Sequence, residues 1–295
     1  MADFVLSTCS TADMPAAWFT ARNIPYIPFR YHMDGSDYPD DLGQTMSFPD
    51  FYARIAAGST AMTSQVGTAQ FIGFFEPFLS AGQDIIHISL SSGISGTYGS
   101  ACLARDELRE KYPERKIFVV DSLAASAGCG LLADAAADVR AAGASVDETN
   151  AWLEANKLRL HHWFFVTDLT YLRRGGRVSA TAAFVGNLLN ICPILNINNE
   201  GKLIPRAKER GRKRVVTAML EKMKNHADAG TDYNGKCFIS HSVNPEDAGK
   251  LAALAAEAFP RLAAPVSISN IGAVIGAHTG PGTVALFFFG DERAV

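Results

Sequence analysis

The feature that most restricts the fold is an alternation, over the first half of the chain, of short apolar runs with helical patterns. Runs of strand length stand at Phe4 to Thr8, Asp84 to Ser91 and Lys116 to Ser122. Ile24 to Met33 reads as a further strand at a sheet edge, because Pro25 and Pro28 have no N–H to donate. Between them the spacing predicts helices over Phe48 to Ala57, Thr68 to Leu79, Thr97 to Lys111 and Gly128 to Ala142, with another opening near Val146. Ser47 is placed to cap the first of these, with Pro49 in its opening turn. Strands separated by helices in this way argue for a parallel sheet wrapped by helices.

The pattern changes after about Trp163. Two extended runs, "CPILNIN" and "KLIPRAKER", flank "NNEG", a hairpin signal. "GRKRVVTAMLEKMKNHA" and "NPEDAGKLAALAAEAF" read as helices, and "GKCFISHS", "PVSISNIG" and "TVALFFFG" as strands. The reading is therefore α/β with two domains: a Rossmann-like parallel-sheet domain over 1–165 and a mixed α+β domain over 166–295. A chain of 295 residues, 48% hydrophobic and 19% charged, has the length for two such cores. A net charge of -3 gives no footprint for nucleic acid. The N-terminus lacks the basic and apolar segments of a signal peptide, and no apolar run is long enough to span a bilayer. Cys9, Cys102, Cys129, Cys192 and Cys237 form no CxxC pair and read as reduced thiols. A cytoplasmic location is expected.

"HISLSSGISGTYGSACLARDEL", from His87 to Leu108, runs from an apolar strand through a burst of hydroxyls and glycines into a helix. The first N–H groups of a helix have no partner inside it, and its dipole places partial positive charge there. An anion can take both if side chains leave room, and Gly93 and Gly96 leave room. Ser92, Ser95 and Thr97 add hydroxyl donors. Neither Lys nor Arg occurs from His87 to Ala104, which points to a small, singly charged group such as a carboxylate. Simple capping of the helix is the alternative, although one Ser or Thr would suffice for that. The segment lacks the Gly-Lys-Ser/Thr of a P-loop and does not fit G-x-S-x-G around Ser95.

Three further segments carry polar residues. Thr63, Ser64 and Gln65 precede a helix and read as a cap. "HTGPGTV", His278 to Val284, reads as a loop; its match to G-x-G-x-x-A lacks the helix that a dinucleotide fingerprint needs. In "RRGGRVSATAAF", Arg173, Arg174 and Arg177 flank a glycine pair at a predicted helix entrance, where a guanidinium can meet a phosphate. The histidines show no metal-ligand spacing: His161 and His162 adjoin without a third ligand, and His32, His87, His226 and His241 stand isolated. No HExxH or EF-hand pattern occurs, so no metal is expected.

These segments, together with "STADMP" (Ser10 to Pro15), "VVDSLAASAGCGLLA" (Val119 to Ala133) and "YLRRGGRVSATAAFVGNLLNICPIL" (Tyr171 to Leu195), resemble the DegV family in order and over nearly the whole chain. The resemblance implies a two-domain α/β protein that buries one long-chain fatty acid, about C14 to C18, between its domains, with no cofactor. It implies that Thr63 and Ser95 hydrogen-bond the carboxylate, with the Gly96 N–H and the Ser92 hydroxyl as further donors. Arg177, Arg210 and His278 would lie near the head group or on a surface facing a separate ATP-binding fatty-acid kinase subunit. "GRKR", Gly211 to Arg214, makes that basic patch denser, or is simply a solvated helix start. One position departs: Cys9 stands where the family usually has an acidic residue, which puts in doubt any role for that acid here.

A fatty acid needs donors for its head and an apolar channel for its tail, each buried methylene contributing roughly 0.8 kcal/mol. Phe184, Val185, Leu188, Leu189 and Ile191 recur at helical spacing and are candidate channel walls, as are Phe29, Phe74, Phe75 and Phe78. The leading expectation is a lipid-binding carrier without catalysis of its own. The rivals are an acyl hydrolase using Ser95 or Cys9 with His278, and an interaction protein with an empty cleft.

Overall fold

The computed structural model describes residues 4–178 and 190–293. Among them the strands in chain order are β1 (Phe4–Cys9), β2 (Tyr26–Ile27), β3 (Arg30–Met33), β4 (Ser36–Pro39), β5 (Met62–Ser64), β6 (Asp84–Ser89), β7 (Ile117–Asp121), β8 (Leu160–Phe165), β9 (Ile191–Ile197), β10 (Leu203–Arg210), β11 (Phe238–His241), β12 (Ser267–Asn270) and β13 (Val284–Phe289). The first sheet is parallel, in the order β2-β1-β6-β7, with Val5 beside Ile85 and Ile86 beside Phe118. The second has the order β10-β9-β8-β13-β11-β12 and is antiparallel except for its β11–β12 edge. β4, β3 and β5 form a small antiparallel sheet of their own.

Alternation along the strands decides the layering. Phe4 and Leu6 of β1, with Ile86 and Ile88 of β6, share one core with Phe164 of β8, Leu195 of β9 and Phe287 of β13. Their neighbours Val5 and Ile85 face the opposite way, toward the helices Thr68–Ser80 and Thr97–Lys111. Trp163, Phe165, Leu286 and Phe288 likewise face away, toward the helices Arg212–His226 and Pro245–Ala258. The two sheets therefore stack with one shared core between them. The helix Ala127–Ala141 fills that middle layer, and its run of buried Ala, Gly and Leu suits an element covered on both sides.

The parallel sheet, the hairpin of β9 and β10 around residues 198–201, and most predicted helices occur where the sequence places them. Four places differ. Ile24 to Met33 is two strands, since Pro28 interrupts the run, and β3 leaves for the small sheet. Thr63 sits in β5, opposite Tyr31 of β3, and is not a helix cap; Gly67 takes the cap position. His278 is in the last turn of a short helix, Ala273–Thr279, and the loop begins only at Gly280. Leu160–Phe165 is already a strand of the second sheet.

Candidate functional site

The loops that leave the C-terminal ends of β6 and β7 open toward the second sheet, the usual place for a ligand on a parallel sheet. There the structure has a cavity of about 240 Å³. Leu90, Ile94, Ala125, Phe164, Ile197 and Phe287 contribute apolar wall, and Phe29, Leu172, Leu203 and Val274 extend it. Its polar lining includes Thr63, Gln65, Ser95, Gly96, Arg177 and His278, drawn from distant parts of the chain.

Those polar groups are linked. The Thr63 Oγ1 and His278 Nε2 atoms are 2.9 Å apart. Arg177 donates through Nε to the carbonyl of Ile94 at 3.1 Å, which seats its guanidinium beside Ser95. The Ser95 hydroxyl donates to Thr97 Oγ1 at 3.1 Å and accepts from the Thr97 N–H at 3.2 Å, so it pairs the first N–H of the helix Thr97–Lys111, whose cap position is held by Gly96. Ser95 thus pairs the helix start and also lines the cavity. The Thr97 hydroxyl is fully buried and receives the Val66 N–H at 3.3 Å, tying the β5 side of the cavity to the helix start.

Burial lowers the affinity of His278 for a proton, to a pKa of about 4, and the nearby Arg177 adds to the effect. The ring is neutral at physiological pH. Its Nδ1 is buried and has no hydrogen-bond partner among the described residues. The ring lies so close to Gly175 that a Cβ there would come within 2.1 Å of Nδ1. Glycine at 175 is thus what lets the chain before Arg177 pass against the imidazole. Gly176, in the left-handed region at φ 70°, completes a turn that closes the helix Thr170–Arg174. The predicted helix entrance after the pair lies in residues 179–189, outside the described residues, as do Phe184, Val185, Leu188 and Leu189.

Not every expected site residue joins the cavity. Ser92 is exposed and its N–H donates to Asp121 Oδ1 at 3.0 Å. Arg210 ends β10, paired in register with Ile191, and both lie outside the lining. Arg173 and Arg174 are exposed, Arg174 packing its guanidinium over Tyr171. Phe74, Phe75 and Phe78 pack instead in or against the core on the far face of the parallel sheet, because the helix Thr68–Ser80 turns them there. Cys9 is fully buried, its Sγ 3.5 Å from His87 Nε2, and burial pushes its thiol up to about 12. It can serve neither as a nucleophile nor as a head-group contact.

Several residues near the cavity escaped the sequence reading. Ser126 lines it from a strained backbone, φ 54° and ψ -147°, with its hydroxyl donating to Asp13 Oδ2 at 2.5 Å. Asp13 Oδ1 receives the Gly272 N–H at 3.0 Å, and Asp40 takes the Ser10 hydroxyl at 3.0 Å and the Ala273 N–H at 3.2 Å. Both carboxylates therefore cap the start of the helix whose end carries His278. Burial raises the pKa of Asp13 well above the ordinary range, with Asp40 adding to it, and raises that of Asp40 to about 6. His162 also lines the cavity, buried and held neutral by desolvation. The segments holding Asp13 and Ser126 stand out in the sequence only through the family resemblance. Nothing there marks Asp40, whose partners are 30 and 233 residues away.

The family model described as "Uncharacterised protein, DegV family" matches residues 4–291. A DegV domain-containing protein of Clostridium perfringens is 39% identical over 293 residues, 99% of each chain. A protein of Thermotoga maritima called "Fatty acid-binding protein" is 35% identical over 288 residues, covering 96% of this chain and 95% of its own. The crystal structure of a DegV lipid binding protein from Thermotoga maritima superposes with a TM-score of 0.85 at 31% identity, over 99% of this chain and 100% of that one.

Proposed function

This chain belongs to the DegV family, and on that premise we propose that it carries a long-chain fatty acid, about C14 to C18, in the cavity between its sheets. The carboxylate would be held by the hydroxyls of Thr63 and Ser95 and the N–H of Gly96, beside Arg177 and His278. The observation that carries this reading is the convergence of those five residues on one cavity whose other walls are largely apolar. Several donors make burial of a carboxylate tolerable, and Arg177 offers a compensating charge. The tail would lie along Leu90, Phe164, Ile197 and Phe287.

The arrangement supports a carrier and offers little to a hydrolase. The Ser95 hydroxyl points to Thr97 and the imidazole of His278 to Thr63, so no serine–histidine pair is formed. No carboxylate orients Nδ1 of His278 among the described residues. Chemistry at the carboxylate would then belong to a partner. We propose that partner to be an ATP-binding fatty-acid kinase, with Arg210 and the neighbouring basic residues on the face it meets. The domain division is best drawn just ahead of Leu160, since β8 belongs to the second sheet.

Native mass spectrometry of the protein purified gently from bacteria tests the proposal. The expected spectrum shows one bound species with the mass of a C14 to C18 fatty acid, also found in a denatured extract. Ligand-free protein that takes up no fatty acid on titration would overturn it. Among the described residues no helix is long and apolar enough to cross a membrane.

A further inference from the structure

We propose that His161, His226 and Asp291 form a binding site for a divalent cation of the zinc class, on the side of the second sheet away from the acyl cavity. Consecutive residues of a strand face opposite ways, so His162 of β8 lines the cavity while His161 points to the outer layer. There it meets His226, at the end of the helix Arg212–His226, and Asp291, two residues beyond β13. One ligand atom from each lies within 4.8 Å of the other two. His161 Nε2 is 2.8 Å from Asp291 Oδ1, and His226 Nδ1 is 3.1 Å from the same oxygen. Zinc bound to nitrogen and oxygen at about 2.0–2.2 Å holds its ligands roughly 3 Å apart, so the N–O separations suit the ion; to bind it, His226 turns out of its 22° stack on His161, and His161 Nε2 gives up its 2.9 Å contact with the Asp291 carbonyl.

The set is held by backbone and by ring packing. The Asp291 N–H donates to the His226 carbonyl at 3.0 Å, and the Gly290 N–H to the Arg159 carbonyl at 2.8 Å. A Cβ on Gly290 would fall 1.9 Å from the His226 carbonyl, so only glycine lets the helix end rest on the strand end. His161 is sandwiched between Phe288, 5.2 Å away and nearly parallel, and His226, 4.8 Å away. Trp163 stacks behind His226 at 5.6 Å. The buried imidazole of His161, 3% exposed, thus presents Nε2 in a fixed direction, while Asp291 keeps solvent access for the cation and its remaining water ligands. Of the cations nearby, Arg159 is paired with Asp228 at 2.7 Å, which lowers its opposition to a metal, and Lys222 lies over the Trp163 ring at 4.9 Å. Two imidazoles and one carboxylate are the donor set that zinc and cobalt(II) favour over magnesium or calcium.

The test is titration of chelator-treated full-length protein with Co²⁺, followed by its visible d–d absorption, and then displacement by Zn²⁺. One equivalent of Co²⁺ with a ligand-field spectrum, bleached by Zn²⁺, is expected. H226A and D291N, both changes at solvent-accessible side chains, should each weaken binding at least about tenfold. Melting curves of both variants confirm that they fold, and D291N alone decides the matter if H226A does not. Binding well below one equivalent, or stoichiometric binding that survives D291N, would overturn the assignment. Fatty-acid retention should be unchanged in both variants, since neither residue lines the cavity.

Discussion

The two ends of the short helix Ala273–Thr279 are both polar and buried, yet they differ in how fully their groups are used. At its start, Asp13 and Asp40 take hydrogen bonds from two hydroxyls and two backbone N–H groups. At its end, His278 has one contact, to Thr63, and its other nitrogen has no partner. The nearby Gly96 is exposed, and its N–H has no protein partner among the described residues. A buried polar group left unsatisfied costs about 1–3 kcal/mol, so spare capacity concentrated at one end marks where a ligand completes the structure. The saturated end holds the two domains in register; the unsaturated end binds.

That contrast can be broken experimentally. The largest effect is expected at the open end: Thr63→Ala with Ser95→Ala should lower fatty-acid affinity by about 100-fold or more, because each removes a bond to a charged group. Competition with a fluorescent acyl probe measures it, and unchanged affinity would remove the carboxylate from this end. The saturated end should instead show itself in stability. Asp40 binds a proton more tightly in the folded protein, at about pH 6, than in the unfolded chain. The stability tied to that proton is complete below about pH 4 and is lost as pH rises through about 6, a change on the order of 3 kcal/mol. Urea unfolding of wild type and Asp40→Asn across this range should diverge by that amount; parallel curves would refute it.

A smaller effect tests the packing of the imidazole. Gly175→Ala places a methyl against His278 Nδ1 and should weaken acyl binding by about fivefold to tenfold by moving the ring. Wild-type affinity in that variant would show that His278 does not need its present position. Least of all is expected from Ser92→Ala, within about twofold of wild type, since Ser92 is exposed and outside the lining. A large loss there would mean that the loop moves when ligand binds.

The parallel sheet was legible because its signals are local. Val5, Ile85 and Ile117 sit in short apolar runs bounded by turn residues, and such periodicity survives in one dimension. The run from Ser91 to Thr97 was legible as a strand-to-helix turn for the same reason: strand, glycines, hydroxyls and helix follow one another directly. Thr63 and His278 were harder. Nothing local joins them, and they entered only through the family resemblance, with Thr63 read as a cap and His278 as part of a loop. Phe74, Phe75 and Phe78 show the opposite error, since apolar residues suit a core and a channel equally well. Only the helix orientation assigns them to the core.

His161, His226 and Asp291 mark the limit most sharply. Spacings of 65 residues match no ligand motif, and the cluster exists because β8, the helix before residue 227 and the end of β13 meet at one corner. What the amino-acid order determined by itself was the parallel α/β architecture and the strand-to-helix turn rich in glycines and hydroxyls, since both follow from torsional preference and neighbouring side chains. What only the tertiary structure decided was which polar groups are left without partners. Burial and pairing depend on residues far apart in the chain, and those distances are set only when the two sheets close on one another.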